Sequence, residues 1–233
     1  TVSSQVFDEE SGQTVAQQMQ DMSISVKQFG AKGDGIADDK DALTNAIKFA
    51  AERGFSVFIP KTNKHYNVSG SALLENVSNV KIHSNGAEIR GKALSFNNVK
   101  NLEIKGFIFQ GTNLSPTSPD DGVRCYDCEN VKVTNNIFSQ TFLRFRSTSL
   151  DLDMGKIVVK ENRFIGDVSA VKDSSGANTL EIYGTCKALI EGNSFSQTNT
   201  YRHLKISSYV GATDVVSVKG YPEYVSIANN VFE

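Results

Sequence analysis

Hydrophobic and polar positions alternate along most of this chain in short runs, and asparagine, glycine and serine separate the runs. Strict alternation over such runs marks a strand with one face buried. One segment breaks the rhythm. Between residues 39 and 53 the apolar side chains Ala42, Leu43, Ala46, Ile47 and Ala50 recur at helical spacing, and Gly54 closes the run. Asp38 stands where an N-cap is expected, and Asp39 and Asp41 in the first turn suit the positive end of a helix.

Downstream, one template repeats. NLEIKGFIFQ (101–110), NVKVTNNIFS (130–139), KIVVKENRFI (156–165), KALIEGNSFS (187–196) and YVSIANNVFE (224–233) each place two alternating apolar residues before a polar turn and a phenylalanine. The phenylalanines are Phe109, Phe138, Phe164, Phe195 and Phe232, and a degenerate earlier copy, NVKIHSNGAE (79–88), puts Ala87 in that place. Asparagine recurs in the turn at Asn85, Asn136, Asn162, Asn193 and Asn230. Asparagine tolerates the left-handed backbone that a tight turn demands. Hairpin strands of a sandwich have no reason to share a turn asparagine, whereas the stacked coils of a solenoid do. The expected fold is an all-β, right-handed parallel β-helix, with the phenylalanines stacked inside and the helix covering its N-terminal end.

The stretch SVKQFGAKGDGIADDKDALTNAIKFAAERGFSVFIPKTNKHYNVSG, about residues 24–70, resembles the N-terminal signature of the pectate-lyase-like superfamily. In that superfamily a glycine-aspartate loop leads to a helix that caps a right-handed parallel β-helix. The resemblance implies the fold that the repeats already suggest. It points toward carbohydrate, since bacteriophage tailspikes, polygalacturonases and alginate epimerases share the signature. The polygalacturonase motifs are absent apart from Asp120-Asp121, and the epimerase motif Asp-Pro-His is absent too. The glycine loop is not a phosphate cradle. Gly30, Gly33 and Gly35 have the wrong order, and Asp34, Asp38 and Asp39 would repel an anion.

Composition removes other classes. The formal net charge is −2 and no basic block occurs, so no nucleic-acid partner is expected. No apolar stretch approaches the roughly 18 residues of a membrane span. Cys125 and Cys128 have C-x-x-C spacing, but with only Cys186 and the scattered His65, His83 and His203 beside them, buried free thiols are expected, with no metal and no cofactor. Residues 1–23 are rich in glutamine, serine and acids, and Val15, Met19 and Met22 fall on one helical face, so they form either a linker or a short oligomerising stem. The last template is cut at its end and has no capping segment, so residues 71–233 are expected to be a truncated run of coils.

Candidate chemistry sits between the templates. Leu94 and Phe96, Val123 and Cys125, Leu150 and Leu152, Leu180 and Ile182, and Val216 and Val218 alternate as inward positions of another strand. Their outward neighbours form two columns, Ser95–Arg124–Asp151–Glu181–Ser217 and Asn97–Tyr126–Asp153–Tyr183–Lys219. Stacking at about 4.8 Å per coil would make Asp151 and Glu181 neighbours, with Asp153 one step along. Paired carboxylates at such distances are the apparatus of glycoside hydrolysis. Arg124 would fix an acidic sugar, and Tyr126 and Tyr183 would offer stacking platforms.

The expectation is a phage tailspike that recognises a bacterial surface polysaccharide and has the groups to depolymerise it. By resemblance it would be a homotrimer on the virion, attached to phage tail proteins through its N-terminal side, where a glutamine-rich leader meets the signature with no secretory segment between. The alternatives are a secreted bacterial lyase, hydrolase or epimerase, and a non-catalytic adhesive or structural β-helix.

Overall fold

The protein is described by a computed structural model covering residues 7–8, 13–14, 23–92, 94–112, 121–149, 151–166, 178–196, 202–207 and 222–232. Its strands form a parallel β-helix of three long sheets. Sheet 1 runs, in chain order, through Ser23–Ser25, Ser56–Ile59, Ser78–Ser84, Lys100–Lys105, Glu129–Thr134, Asp153–Lys160, Thr185–Glu191 and Tyr224–Ala228. Sheet 2 runs through Tyr66–Val68, Glu88–Gly91, Ile108–Gln110, Ile137–Ser139, Arg163–Ile165, Ser194–Ser196 and Val231–Phe232. Sheet 3 runs through Ala72–Glu75, Leu94–Asn97, Asp121–Tyr126, Phe142–Arg146, Asn178–Tyr183 and Arg202–Ser207. Every pairing within these sheets is parallel, and each coil contributes one strand to each sheet in turn. Of the leader, only the short antiparallel pair Phe7–Asp8 with Gln13–Thr14 is described. The stem positions Val15, Met19 and Met22 lie outside the described residues.

The interior follows the template. Phe109, Phe138, Phe164, Phe195 and Phe232 form one stack, with centroids 5.1, 5.0, 4.7 and 4.9 Å apart and planes within 19°. The first four rings are fully buried. The degenerate copy departs from the expected register: Ile89, not Ala87, pairs with Phe109. Four residues, Ser84 to Ala87, separate the paired positions His83 and Glu88, against two, Gly106 and Phe107, between their partners Lys105 and Ile108, which moves the strand along by one inward position.

The recurring asparagines serve a different end from the one expected. In four successive coils the left-handed residue is the one before, at Asn135, Glu161, Gly192 and Asn229. Asn136, Asn162 and Asn193 instead turn inward and are buried. Asn162 Nδ2 donates to Val133 O at 2.9 Å and to Asn193 Oδ1 at 3.1 Å, while its Oδ1 accepts from Asn136 N at 3.0 Å. Asn193 repeats the pattern with Val159 O and Asn230 Oδ1, both at 2.9 Å. The amides thus satisfy backbone groups that a tight turn would otherwise leave unpaired in the core.

Helix α1, Lys40–Arg53, packs its buried Leu43, Ala46, Ile47 and Ala50 against the first strands of sheets 1 and 3. The N-cap is Asp39 rather than Asp38, and its side chain makes no cap hydrogen bond. The buried Asp39 carboxylate reaches back into the glycine loop and accepts from Lys32 N at 2.6 Å, Gly33 N at 3.1 Å and Asn67 N at 3.3 Å. Asp38 accepts from Lys40 N at 3.1 Å and takes the Ser69 hydroxyl. Gly33 has φ +58°, and a Cβ there would lie 2.8 Å from Thr62 Cγ2 and 2.9 Å from the Tyr66 ring. The loop is glycine-rich so that backbone can close over Tyr66 and Asp39, and its aspartates are structural.

Candidate functional site: the outward face of sheet 3

In each strand of sheet 3 the alternate side chains face the core: Leu94 and Phe96, Val123 and Cys125, Leu143 and Phe145, Leu180 and Ile182. The residues between them must then face out. Parallel pairing stacks Ser95, Arg124, Arg144, Glu181 and Lys205 in one column. Asn97, Tyr126, Arg146, Tyr183 and Ser207 form the second.

Glu181 is the centre of this face. Its side chain is only 1% exposed, and Arg146 donates to Oε2 from Nη2 at 2.6 Å and from Nε at 3.2 Å. Arg144, in the same strand as Arg146, brings Nε to 3.5 Å from the same oxygen and is itself 12% exposed. Burial pulls the Arg146 guanidinium down, but the hydrogen bond and charge of Glu181 outweigh it and leave its pKa raised. Around this cluster the cations lie against rings. Arg124 sits 5.9 Å from the Tyr126 centroid and Arg144 5.0 Å from Phe142. Tyr183 is approached by Arg146 at 5.3 Å and by Lys205 at 4.9 Å.

Of the expected site residues, Glu181, Arg124, Tyr126 and Tyr183 lie on this face, and Asp151 and Asp153 do not. Arg144 and Arg146 hold the places assigned to Asp151 and Asp153. Two alternating runs compete for the strand in that coil, FLRFR (142–146) and SLDLD (149–153). FLRFR comes first, with only Gln140 and Thr141 between it and the end of the sheet 2 strand at Ser139, and it takes the slot. Asp151 falls in the turn that returns to sheet 1, beside a cleft of about 480 Å³ lined by Asn98, Asp127, Thr148 and Ser149. Asp153 opens the next sheet 1 strand, where its Oδ1 accepts from Gly155 N at 2.8 Å across an irregularity in the ladder. The adjacent carboxylate pair expected of a hydrolase is therefore not formed by Asp151 and Glu181. Lys205 and Ser207 hold the places assigned to Ser217 and Lys219, which lie outside the described residues, as do Asp120, Leu150, Val216 and Val218. The missed residues Arg144, Arg146 and Lys205 were signalled only by L-R-F-R and L-K-I alternations that had competitors nearby.

The other groups with chemical potential are quieter. Cys125, Cys128 and Cys186 are buried and free. Burial, with the Cys128 hydrogen bond, pushes the Cys125 thiol well up, and burial pushes Cys186 to about 12, so neither supplies thiolate at neutral pH. On sheet 1 an open cleft of about 470 Å³ is lined by Ser56, Lys81, His83, Ser84, Glu103 and Lys105.

No known protein family matches the chain. The plasmin and fibronectin-binding protein A of Streptococcus pneumoniae is 23% identical over 248 residues, covering 95% of this chain. This chain spans only 32% of that protein's length. Among solved structures, a candidate glycosyl hydrolase from Parabacteroides merdae superposes with a TM-score of 0.62 at 15% identity, covering 90% of this chain and 97% of that one. The tailspike of an Acinetobacter baumannii phage gives a TM-score of 0.48 at 15% identity, over 91% of this chain and 45% of its own. At these identities the Parabacteroides likeness is one of fold.

Proposed function

We propose that this chain is a polysaccharide-recognition β-helix and that the glycan lies along the outward face of sheet 3, parallel to the helix axis. The observation that carries this reading is the line of Arg124, Tyr126, Arg146, Tyr183 and Lys205 on one face of successive strands. Polar side chains braced against rings are the usual furniture of a surface that holds sugars without a deep pocket. Binding rather than cleavage is favoured by Glu181. Its carboxylate is only 1% exposed and is taken up by Arg146 and Arg144, whereas a general acid must reach the glycosidic oxygen it protonates.

The wider setting follows from the loop-and-helix signature and the glutamine-rich leader before it. In this reading the β-helix belongs to a phage tailspike, displayed on the virion as a homotrimer and joined to the tail through its N-terminal side. The similarity to a streptococcal binding protein supports a second setting, a surface-displayed adhesin. Both settings use the same face.

The test is binding of the chain to purified capsular and O-antigen polysaccharides from a bacterial panel, read by biolayer interferometry. Tyr183→Ala on sheet 3 is expected to weaken binding, and Lys132→Gln on sheet 1 to leave it unchanged. Equal sensitivity of the two faces, or no binding to any glycan, would overturn the proposal.

A further inference from the structure

The described side chains from Arg124 to Lys205 put four cations, Arg124, Arg144, Arg146 and Lys205, around the single carboxylate of Glu181. This stretch of the face, beyond Asn97 and its partner Glu75, therefore carries an excess of three positive charges on a chain whose formal net charge is −2. A local excess of one sign on a protein of the other sign is a directed field. The cations are also held in place. Arg144 and Arg146 share one carboxylate oxygen, and rings lie under Arg124, Arg144, Arg146 and Lys205. Fixing long side chains before the ligand arrives removes the entropy that binding would otherwise lose.

Resting on the reading of sheet 3 as a glycan surface, we infer that its ligand is a linear polysaccharide bearing carboxylates at regular intervals, held by the cations of sheet 3. The chemistry of the face selects a carboxylate. Arg146 already presents two N–H groups to one, through Nε and Nη2 on Glu181 Oε2. Planar guanidiniums also pair with both oxygens of a carboxylate, and three of the four cations are arginine. The spacing selects a polymer. Arg124 and Lys205 stand at the two ends of one column, three strand steps or about 14 Å apart. Arg144 and Arg146 between them are already engaged by Glu181, so the ligand's acidic groups are accepted at the ends. Nucleic acid fits less well. Its phosphates repeat at about half that distance or less, and its bases need open ring faces, whereas Tyr183 is approached by cations from both neighbouring strands.

The experiment measures affinity of the full chain for acidic capsular polysaccharides in native and carboxyl-reduced form, beside neutral capsular polysaccharides and a single-stranded DNA of matched length. Carboxyl reduction keeps the sugar backbone and removes only the charge. It is expected to lower affinity by more than about tenfold, and Arg124→Gln and Lys205→Gln to lower it by about tenfold each toward the native polymer only. Neither substitution removes a residue that grips Glu181, and far-ultraviolet circular dichroism checks that the fold is kept. Lys132→Gln on sheet 1 is the charge-matched control and is expected to have no effect. Equal binding of the native and reduced polymers, or preference for neutral ones, overturns the inference and leaves the glycan reading standing. Tighter binding of the DNA than of any acidic glycan overturns it as well. Absence of binding to every glycan overturns both.

Discussion

The outward faces of sheets 1 and 3 share one helix axis and one strand pitch but handle charge differently. On sheet 1, lysine and glutamate in adjacent coils pair one to one. Lys100 meets Glu129 at 2.7 Å, Lys132 meets Glu103 at 3.0 Å, and Lys160 meets Glu191 at 3.3 Å. Both partners of the middle pair are well exposed, at 50% and 37%. Such a face keeps its charges at the water surface, in one-to-one pairs with further exposed lysines such as Lys81, Lys105 and Lys156 beside them. Sheet 3 sets three arginines and one lysine about Glu181 and removes the carboxylate and its two guanidinium partners from water. A β-helix needs the first kind of face to stay soluble along its length. The second kind has a desolvation cost that no solenoid requires, which is why it reads as a site.

The comparison breaks first on stability. Glu181→Ala strands two largely buried guanidiniums, and removing one partner of such a cluster costs about 3–5 kcal/mol. Glu103→Ala removes one partner of an exposed pair and is expected to cost about 0–1 kcal/mol. Urea denaturation of the two variants against the parent chain reads the difference. Similar losses would mean that Glu181 is no more than another surface charge.

Salt sharpens it next. The coupling between Lys132 and Glu103, measured by a double-mutant cycle, should fade between about 0.1 M and 1 M salt as the screening length falls from about 10 Å to 3 Å. The coupling between Arg146 and Glu181 should persist, because little solvent reaches it. A third contrast concerns Asp151, which the alternation of SLDLD places beside Glu181 and the structure places in a turn. Asp151→Asn is expected to shift stability by less than about 0.5 kcal/mol and to leave both glycan binding and any release of reducing ends unchanged. Loss of cleavage in that variant alone would restore an acid role to the residue.

Most of the helix was legible because its repeat is set by the core. A phenylalanine that must stack on the phenylalanine of the coil below cannot drift, so Phe109, Phe138, Phe164 and Phe195 announce the register directly. The turn asparagine was legible as a position but not as a cause. Left-handed backbone and an inward amide both favour asparagine, and only coordinates separate Asn135, which has φ +55°, from Asn136, which bears the ladder. The same holds for Asp38 and Asp39, where adjacent carboxylates divide the turn and the loop between them. The site was less legible because an outward face has no partner in the core to fix it. Where one coil carries two alternating runs, FLRFR and SLDLD, the pattern is satisfied twice, and the length of the turn from sheet 2 decides. That choice exchanged two aspartates for two arginines and turned an expected acid pair into a cationic face.

The smallest expected contrast is one of pH, and it belongs to sheet 1. His83 lies 5.3 Å from the Phe58 ring, with Ser23 Oγ 3.4 Å from Nε2 and with Lys81, Glu103 and Lys105 lining the same cleft. Burial lowers its pKa, and the charge of Lys105 adds to that, while Glu103 opposes. Below the ordinary histidine value of 6.5 the unfolded chain takes up a proton that the folded chain refuses. Stability is therefore full above about pH 6.5 and falls as the pH drops toward the folded value. His65 is lowered too, chiefly by burial, and contributes a slope of the same sign. His83→Gln should flatten part of the acid limb of a melting-temperature profile between about pH 5 and 6.5 and leave the part owed to His65. Affinity at sheet 3 should not follow that limb, because His83 lies on sheet 1 and touches none of the sheet 3 cations. A binding profile that tracks the His83 titration would couple the two faces and undo the separation drawn between them.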